Sequence, residues 1–200
     1  GADLLMLPMF RTPAELARFS QIVAGRCPVV PLLETREALS SIADWVVTPG
    51  LWEVFVGLND LHLSLNCAFM FEPLVLGHLD RVAAIVQQQG LRFGFGGVAR
   101  LDDGLLPGRD VLAEHVRLGS QAVILSRTFR DASTPELLDA QIEAIIKKEI
   151  ELARLAEEKK QKEAAAKLAA TEAAKKKAAE EAIKKAKEAG KEPAKEDVET

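Results

Sequence analysis

Five short apolar runs, each following a glycine, recur along the first 130 residues. They are Leu4–Leu7 after Gly1, Val29–Leu33 after Gly25, Val54–Val56 after Gly50, Leu91–Phe93 after Gly90 and Ala122–Leu125 after Gly119. Runs of strand length without polar alternation are what strands covered on both faces require. A glycine just upstream supplies the left-handed residue that closes a preceding helix. The repeating order is helix, glycine, buried strand, and it dictates a parallel sheet with helices packed against it.

Helical signals fill the intervals. Thr12 is placed to cap a helix with Pro13 in its first turn and Glu15 three residues after the cap, and Leu16, Phe19 and Val23 share one face. Thr35 is placed to cap a second helix running to Val47, a third is expected from about His78 to Gln89, and a fourth from about Arg109 to Leu118. Successive glycines are spaced 24, 25, 40 and 29 residues apart, so one unit carries an insertion around residues 61–76. The fold class expected is α/β, a partial (β/α)8 TIM barrel of about five units followed by a long C-terminal helix. Eight such units use about 250 residues, so about three are expected ahead of Gly1, and the sheet is expected to be open at an edge.

Charge separates the chain into two compositions. Residues 1–130 hold eleven Arg, thirteen acids and no Lys, whereas residues 131–200 hold all fourteen Lys, one Arg and seventeen acids. The formal net charge of −4 lacks the clustered positive surface that nucleic-acid backbones require. Pro, Gly or charge interrupts every apolar stretch before the roughly 18 residues that suggest a spanning helix. No basic segment precedes a cleavable apolar core. A soluble, cytoplasmic protein that binds neither nucleic acid nor membrane is expected. Cys27 and Cys67 show neither CxxC spacing nor a Cys/His cluster, so both are expected to be buried small hydrophobes rather than a disulfide or zinc site.

In parallel β/α architectures, the C-terminal strand ends converge on one mouth, where function is built. Two carboxylates belong there: Glu34 ends the run Val29–Leu33, and Asp60 follows Val54–Asn59. Closing successive strands, they can point at one spot. Two such groups repel unless one is protonated or a cation lies between them. Mg²⁺ or Mn²⁺, completed by waters and substrate oxygens, is the hard ion suited to that position. Spacing alone leaves a second reading open, in which each acid only caps the next helix.

The stretches Glu34-Thr35-Arg36-Glu37-Ala38 and Phe55-Val56-Gly57-Leu58-Asn59-Asp60-Leu61 resemble the HpcH/HpaI aldolase and citrate lyase family. The likeness runs from Gly1 to about Phe129 and includes Gly1–Met9 and the last strand, Ala122–Ser126. Phe93–Arg100, Leu105-Leu106-Pro107 and Leu112–His115 are similar to a branch of that family found near capsular-polysaccharide genes. The resemblance implies a metal-dependent carbon–carbon lyase, a class II pyruvate-type aldolase, acting on a 2-oxo acid within a homo-oligomer. It implies Glu34 and Asp60 as the metal-binding acids, and a pyruvate carboxylate resting near Gly57, Asn59 and the Asp60 amide. The chemistry agrees, because a metal chelated by pyruvate stabilises the developing enolate. The absence of Lys from residues 1–130 also disfavours a Schiff-base aldolase. Three features depart from the family. Its substrate Arg and basic His belong to earlier strands, Leu32 replaces its Gln before the metal Glu, and Leu58 replaces its Pro after the strand glycine. Incomplete turnover by this chain is the expectation that follows. The rivals are an acyl-CoA lyase of the citrate lyase branch and a non-catalytic remnant serving as an assembly scaffold.

Arg100, after the fourth strand, is a candidate anion contact, or a surface partner of Asp102 or Asp103. His62 is expected to be an ordinary loop histidine although it lies near Asp60, and His78 and His115 are expected to face solvent. Gly94-Phe95-Gly96-Gly97 lacks dinucleotide-fingerprint spacing and is expected to permit close backbone approach at the mouth. Trp45, Trp52, Phe69 and Phe71 read as core or lid packing. Beyond the barrel-like residues 1–130, Ser133 or Thr134 with Pro135 is expected to start an amphipathic helix over 131–155. Its stripe is Leu138, Ile142, Ile145, Ile146, Ile150 and Leu152, and the family resemblance implies that it is exchanged between subunits. Residues 156–200 are expected to form an exposed Ala/Lys/Glu helix supported by pairs such as Glu158/Lys162 and Glu163/Lys167, ended by Gly190 and Pro193, with a disordered tail.

Overall fold

A computed structural model describes residues 1–102, 106–127, 129 and 135–189. Asp103, Leu105, Ser133, Thr134, Gly190 and Pro193, which the sequence reading used, lie outside those residues. The chain divides into two units after Ala153.

In the first unit the apolar runs form β1 (Leu5–Leu7), β2 (Val29–Leu33), β3 (Glu53–Val56), β4 (Arg92–Val98) and β5 (Ala122–Leu125). They lie in one sheet in chain order, and every neighbouring pair is parallel. The result is a curled half-barrel with β1 and β5 at its edges. Side-chain alternation explains why the runs are continuously apolar. Val29 and Leu33, Val54 and Val56, and Phe93 and Phe95 join helical residues in one cluster, while Val30 and Phe55 are buried outside it. β4 continues through Gly94-Phe95-Gly96-Gly97, so those glycines are strand residues. A Cβ on Gly94 would stand 2.8 Å from both the Ala122 carbonyl and the Phe55 ring, which is why that strand position carries no side chain.

Between the strands lie α1 (Pro13–Val23), α2 (Arg36–Ser40), α3 (Ile42–Trp45), α4 (Leu58–Ser64), α5 (Glu72–Val75), α6 (His78–Gln88) and α7 (Gly108–Leu118). Thr12 caps α1 in a full capping box with Glu15. The helix after Thr35 does not run unbroken to Val47. It breaks at Ser41, and α3 turns Trp45 into the core, where its Nε1–H donates to the Ala38 carbonyl at 2.7 Å. The 61–76 insertion supplies the end of α4 and all of α5. At the end of α1 the left-handed position falls on Ala24 (φ 51°) as well as Gly25, whereas α7 closes on Gly119 as its spacing predicts.

His115 overturns its expected exposure. It is buried on α7, stacked on Phe95 with centroids 3.8 Å apart, and its Nδ1 lies 2.8 Å from Ser120 Oγ. Ser120 donates its own proton to the Ala122 carbonyl, so Nδ1–H is the donor in this pair. Burial pushes the imidazole pKa down to about 4. Cys27 and Cys67 are only half-buried. Trp45 is core, whereas Trp52 is exposed and stacks under Arg92.

α8 (Pro135–Ala189) begins in the first unit. There Ile145 is buried and Leu138 and Leu152 pack on the core, while Ile146 and Ile150 of the expected stripe stay exposed. In the second unit the described side chains of α8 are exposed, with ion pairs Arg154–Glu158 and Lys159–Glu163. No helix among the described residues is long and apolar enough to cross a membrane.

Candidate functional site at the C-terminal strand ends

Two β/α junctions supply the acids of the site. Glu34 directly follows β2, Gly57 directly follows β3, and Asp60 lies in the first turn of α4. Strand alternation sets their direction, because Glu34 continues the series Val30, Leu32 on the face away from the helix-packed cluster. The Gly57 N–H donates to the Leu33 carbonyl at 3.0 Å, extending the β2–β3 ladder to the residues that carry the acids.

Gly57 is a steric requirement. A Cβ there would stand 2.6 Å from Glu34 Oε1 and 2.7 Å from its Cγ. The Glu34 side chain therefore lies against the bare backbone at the end of β3. Asp60 is close enough for its charge to act on the Glu34 carboxyl, and like charges so placed favour a cation between them. Burial is the largest influence on the Glu34 carboxyl and raises its pKa from 4.5. The Met9 N–H opposes that shift, and the charge and hydrogen bond of Asp60 add to it.

Sequence reasoning missed Met9. Its backbone N–H donates to Glu34 Oε2 at 3.1 Å. The residue holds a left-handed φ of 54°, a conformation rare outside glycine, asparagine and aspartate. No local signal in Pro8-Met9-Phe10 announces it. Thr35 was legible as the cap of α2, accepting from the Ala38 N–H, but its hydroxyl also donates to the Phe10 carbonyl at 2.7 Å. Arg36 ties the two acid-bearing junctions together from outside, its N–H donating to Ser64 Oγ and its Nε–H to the Ser64 carbonyl.

The other candidates separate from this cluster. Asn59 is exposed beside Asp60 at the start of α4, where no side chain caps the helix. Arg100 lies past β4 against a cavity of about 360 Å³ that it shares with Leu101, Asp102, Gln141 and Ala144, while Asp102 pairs with Arg109. His62 lies on α4 rather than in a loop, and directs Nδ1 to the Leu58 carbonyl at 3.2 Å, one helical turn back. Among the described residues no third His, Cys, Asp or Glu joins Glu34 and Asp60. The pair fits a hard divalent cation by its donors: only carboxylate oxygens, like charges side by side, and room made by a glycine.

Five parallel strands with a polar cluster at their C-terminal ends define a partial α/β barrel. No protein-family model and no curated protein matches the sequence. Solved structures do match. One is an HpcH/HpaI aldolase/citrate lyase family protein from Burkholderia cenocepacia, at 20% identity and TM-score 0.50, over 74% of this chain and 65% of that one. Another is a citrate lyase beta subunit from Mycobacterium tuberculosis complexed with oxaloacetate and magnesium, at 13% identity and TM-score 0.50, over 70% and 60%. A third is CitE from Mycobacterium tuberculosis complexed with the triphosphate group of ATP, at 14% identity and TM-score 0.55, over 74% and 61%. These likenesses establish the fold, and the chain spans less than two thirds of each of these proteins.

Proposed function

We propose that this chain carries the metal-binding part of a carbon–carbon lyase of the HpcH/HpaI aldolase and citrate lyase type, acting on a 2-oxo acid. The observation that carries the reading is that Glu34 and Asp60 close successive β/α junctions, with Glu34 lying against the bare backbone of Gly57 and near enough to Asp60 to feel its charge. The magnesium and oxaloacetate of the citrate lyase beta subunit with the same fold support the choice of ion and substrate class.

Glu34 and Asp60 would hold Mg²⁺ or Mn²⁺. When bound, the ion supplies Lewis-acid stabilisation of the negative charge that develops on the keto oxygen of the substrate. The protein's own part is orientation and charge. Met9 fixes one oxygen of Glu34, and burial together with the neighbouring Asp60 charge raises the Glu34 pKa, so a bound cation would favour its ionised form. The backbone N–H groups of Asn59 and Asp60, at the uncapped start of α4, are proposed to receive the substrate carboxylate beside Gly57, whose own N–H is held by the Leu33 carbonyl. Arg100 is proposed as a further anion contact. No lysine occurs in residues 1–130, so these residues offer no amine for an imine route. A soluble homo-oligomer is the proposed setting, and residues 1–130, 131–155 and 156–200 are proposed as barrel, packing helix and exposed extension.

Isothermal titration with Mn²⁺ tests the reading. Wild-type protein is expected to bind one ion, and Glu34→Gln and Asp60→Asn to bind it at least about tenfold more weakly. Equal uptake by all three, or by none, removes its basis.

A further inference from the structure

We propose that Thr35 is the positioning residue of this site: its hydroxyl clamps the β1–α1 loop at Phe10, and the clamped loop turns the Met9 amide onto Glu34 Oε2. Oε1 is then the oxygen left for Asp60 and the cation. The inference rests on the metal-site reading for its purpose but not for its geometry.

The hydroxyl is fully engaged. Thr35 is buried, donates to the Phe10 carbonyl at 2.7 Å and accepts from the Ala38 N–H at 3.2 Å. Phe10 is itself buried and packs edge-on against Trp45 at 5.1 Å, so the clamp has a rigid backing. One residue earlier, Met9 takes its left-handed φ, and its N–H meets Glu34 Oε2 at 3.1 Å. An exposed loop residue holds such a conformation only when its neighbours fix it, and Phe10 is that fixed neighbour. Glu34 and Thr35 are consecutive, so a single turn of chain carries both the ligand and the residue that aims it. The oxygen not held by Met9, Oε1, lies over Gly57 at the start of the helix that carries Asp60.

Two variants separate aiming from mere structure. Thr35→Ser keeps both hydrogen bonds, whereas Thr35→Val keeps the shape and loses both. Hydrogen exchange at the Met9 amide is expected to stay slow in wild type and Thr35→Ser and to accelerate about tenfold or more in Thr35→Val, with Mn²⁺ affinity falling about tenfold in Thr35→Val only. If Thr35→Val does not fold, Thr35→Ala, which loses both hydrogen bonds without adding bulk, is read in the same two assays and is expected to speed Met9 exchange and weaken Mn²⁺ binding likewise. Wild-type Mn²⁺ affinity in a folded Thr35→Val whose Met9 amide exchanges fast overturns the inference, as does Met9 exchange that is equal in all variants. If wild-type protein binds no Mn²⁺, the metal-site reading fails, and Met9 exchange still decides whether Thr35 aims Glu34.

Discussion

Replacing Gly57 with alanine puts the site's geometry at risk through a single methyl group. The backbone there, at φ −84° and ψ 92°, accepts any residue without strain, so the penalty falls on what the methyl meets. It would stand 2.6 Å from Glu34 Oε1, 2.7 Å from Cγ and 3.0 Å from Cδ. Contact with Cγ cannot be relieved by swinging the carboxylate alone, so Glu34 must change rotamer and release the Met9 N–H. A hydrogen bond to a charged group is worth about 1.5–3 kcal/mol, and the stiffer unfolded chain returns about 0.4–1 kcal/mol. The net cost is about 1–2 kcal/mol, read from urea unfolding by the fluorescence of buried Trp45. In a Glu34→Ala background the obstacle is gone, so the double variant should show a coupling of about 1 kcal/mol or more. Additive effects, or Gly57→Ala as stable as wild type, would refute the placement of Glu34 over Gly57.

Glu34 and His115 impose opposite pH dependences on the metal-free protein. The Glu34 carboxyl is raised on folding, so its contribution is present below its unfolded value near 4.5 and is lost as pH rises through the folded value. Glu34→Gln should therefore exceed wild type in stability at pH 7, and added Mn²⁺ should reverse the order. His115 is lowered from 6.5 to about 4, so its contribution is full above 6.5 and is lost as pH falls toward 4. Across that window the wild-type minus His115→Phe difference should slope by at most about 1.4 kcal/mol per pH unit, and a flat difference would contradict the burial. At the other end of the sheet, Arg92 pairs with Glu53 at 3.1 Å, the acid being 11% exposed and the arginine 43%. Arg92→Met should cost about 1–2 kcal/mol in urea unfolding, less than a fully buried pair because solvent reaches the guanidinium, and Glu53→Gln should recover part of it.

The strands and most helix starts were legible because continuous apolar runs, glycine closures and a Thr-Pro-x-Glu cap are local signals, as Val29–Leu33 and Thr12–Glu15 show. Glu34 and Asp60 were legible as strand-end acids because their place in the β/α repeat follows from counting. The need for a bare Gly57 under Glu34 was not, because that contact depends on how β2 and β3 stagger. Met9 escaped because a left-handed methionine is held by the Thr35–Phe10 bond, 25 residues apart in sequence, and nothing nearby encodes it. His115 escaped because a helix of mixed polarity does not say which polar residue turns inward, and the ring of Phe95 on a different element decided that.

The strand order follows the chain, β1 to β5, with no strand inserted between earlier ones. Each strand therefore docks on the edge left by its predecessor and never has to prise open a pairing already made. A polypeptide with this wiring can accrete its sheet in the sequence in which a ribosome delivers it, and units can be gained or lost in evolution at the growing margin without rewiring those behind.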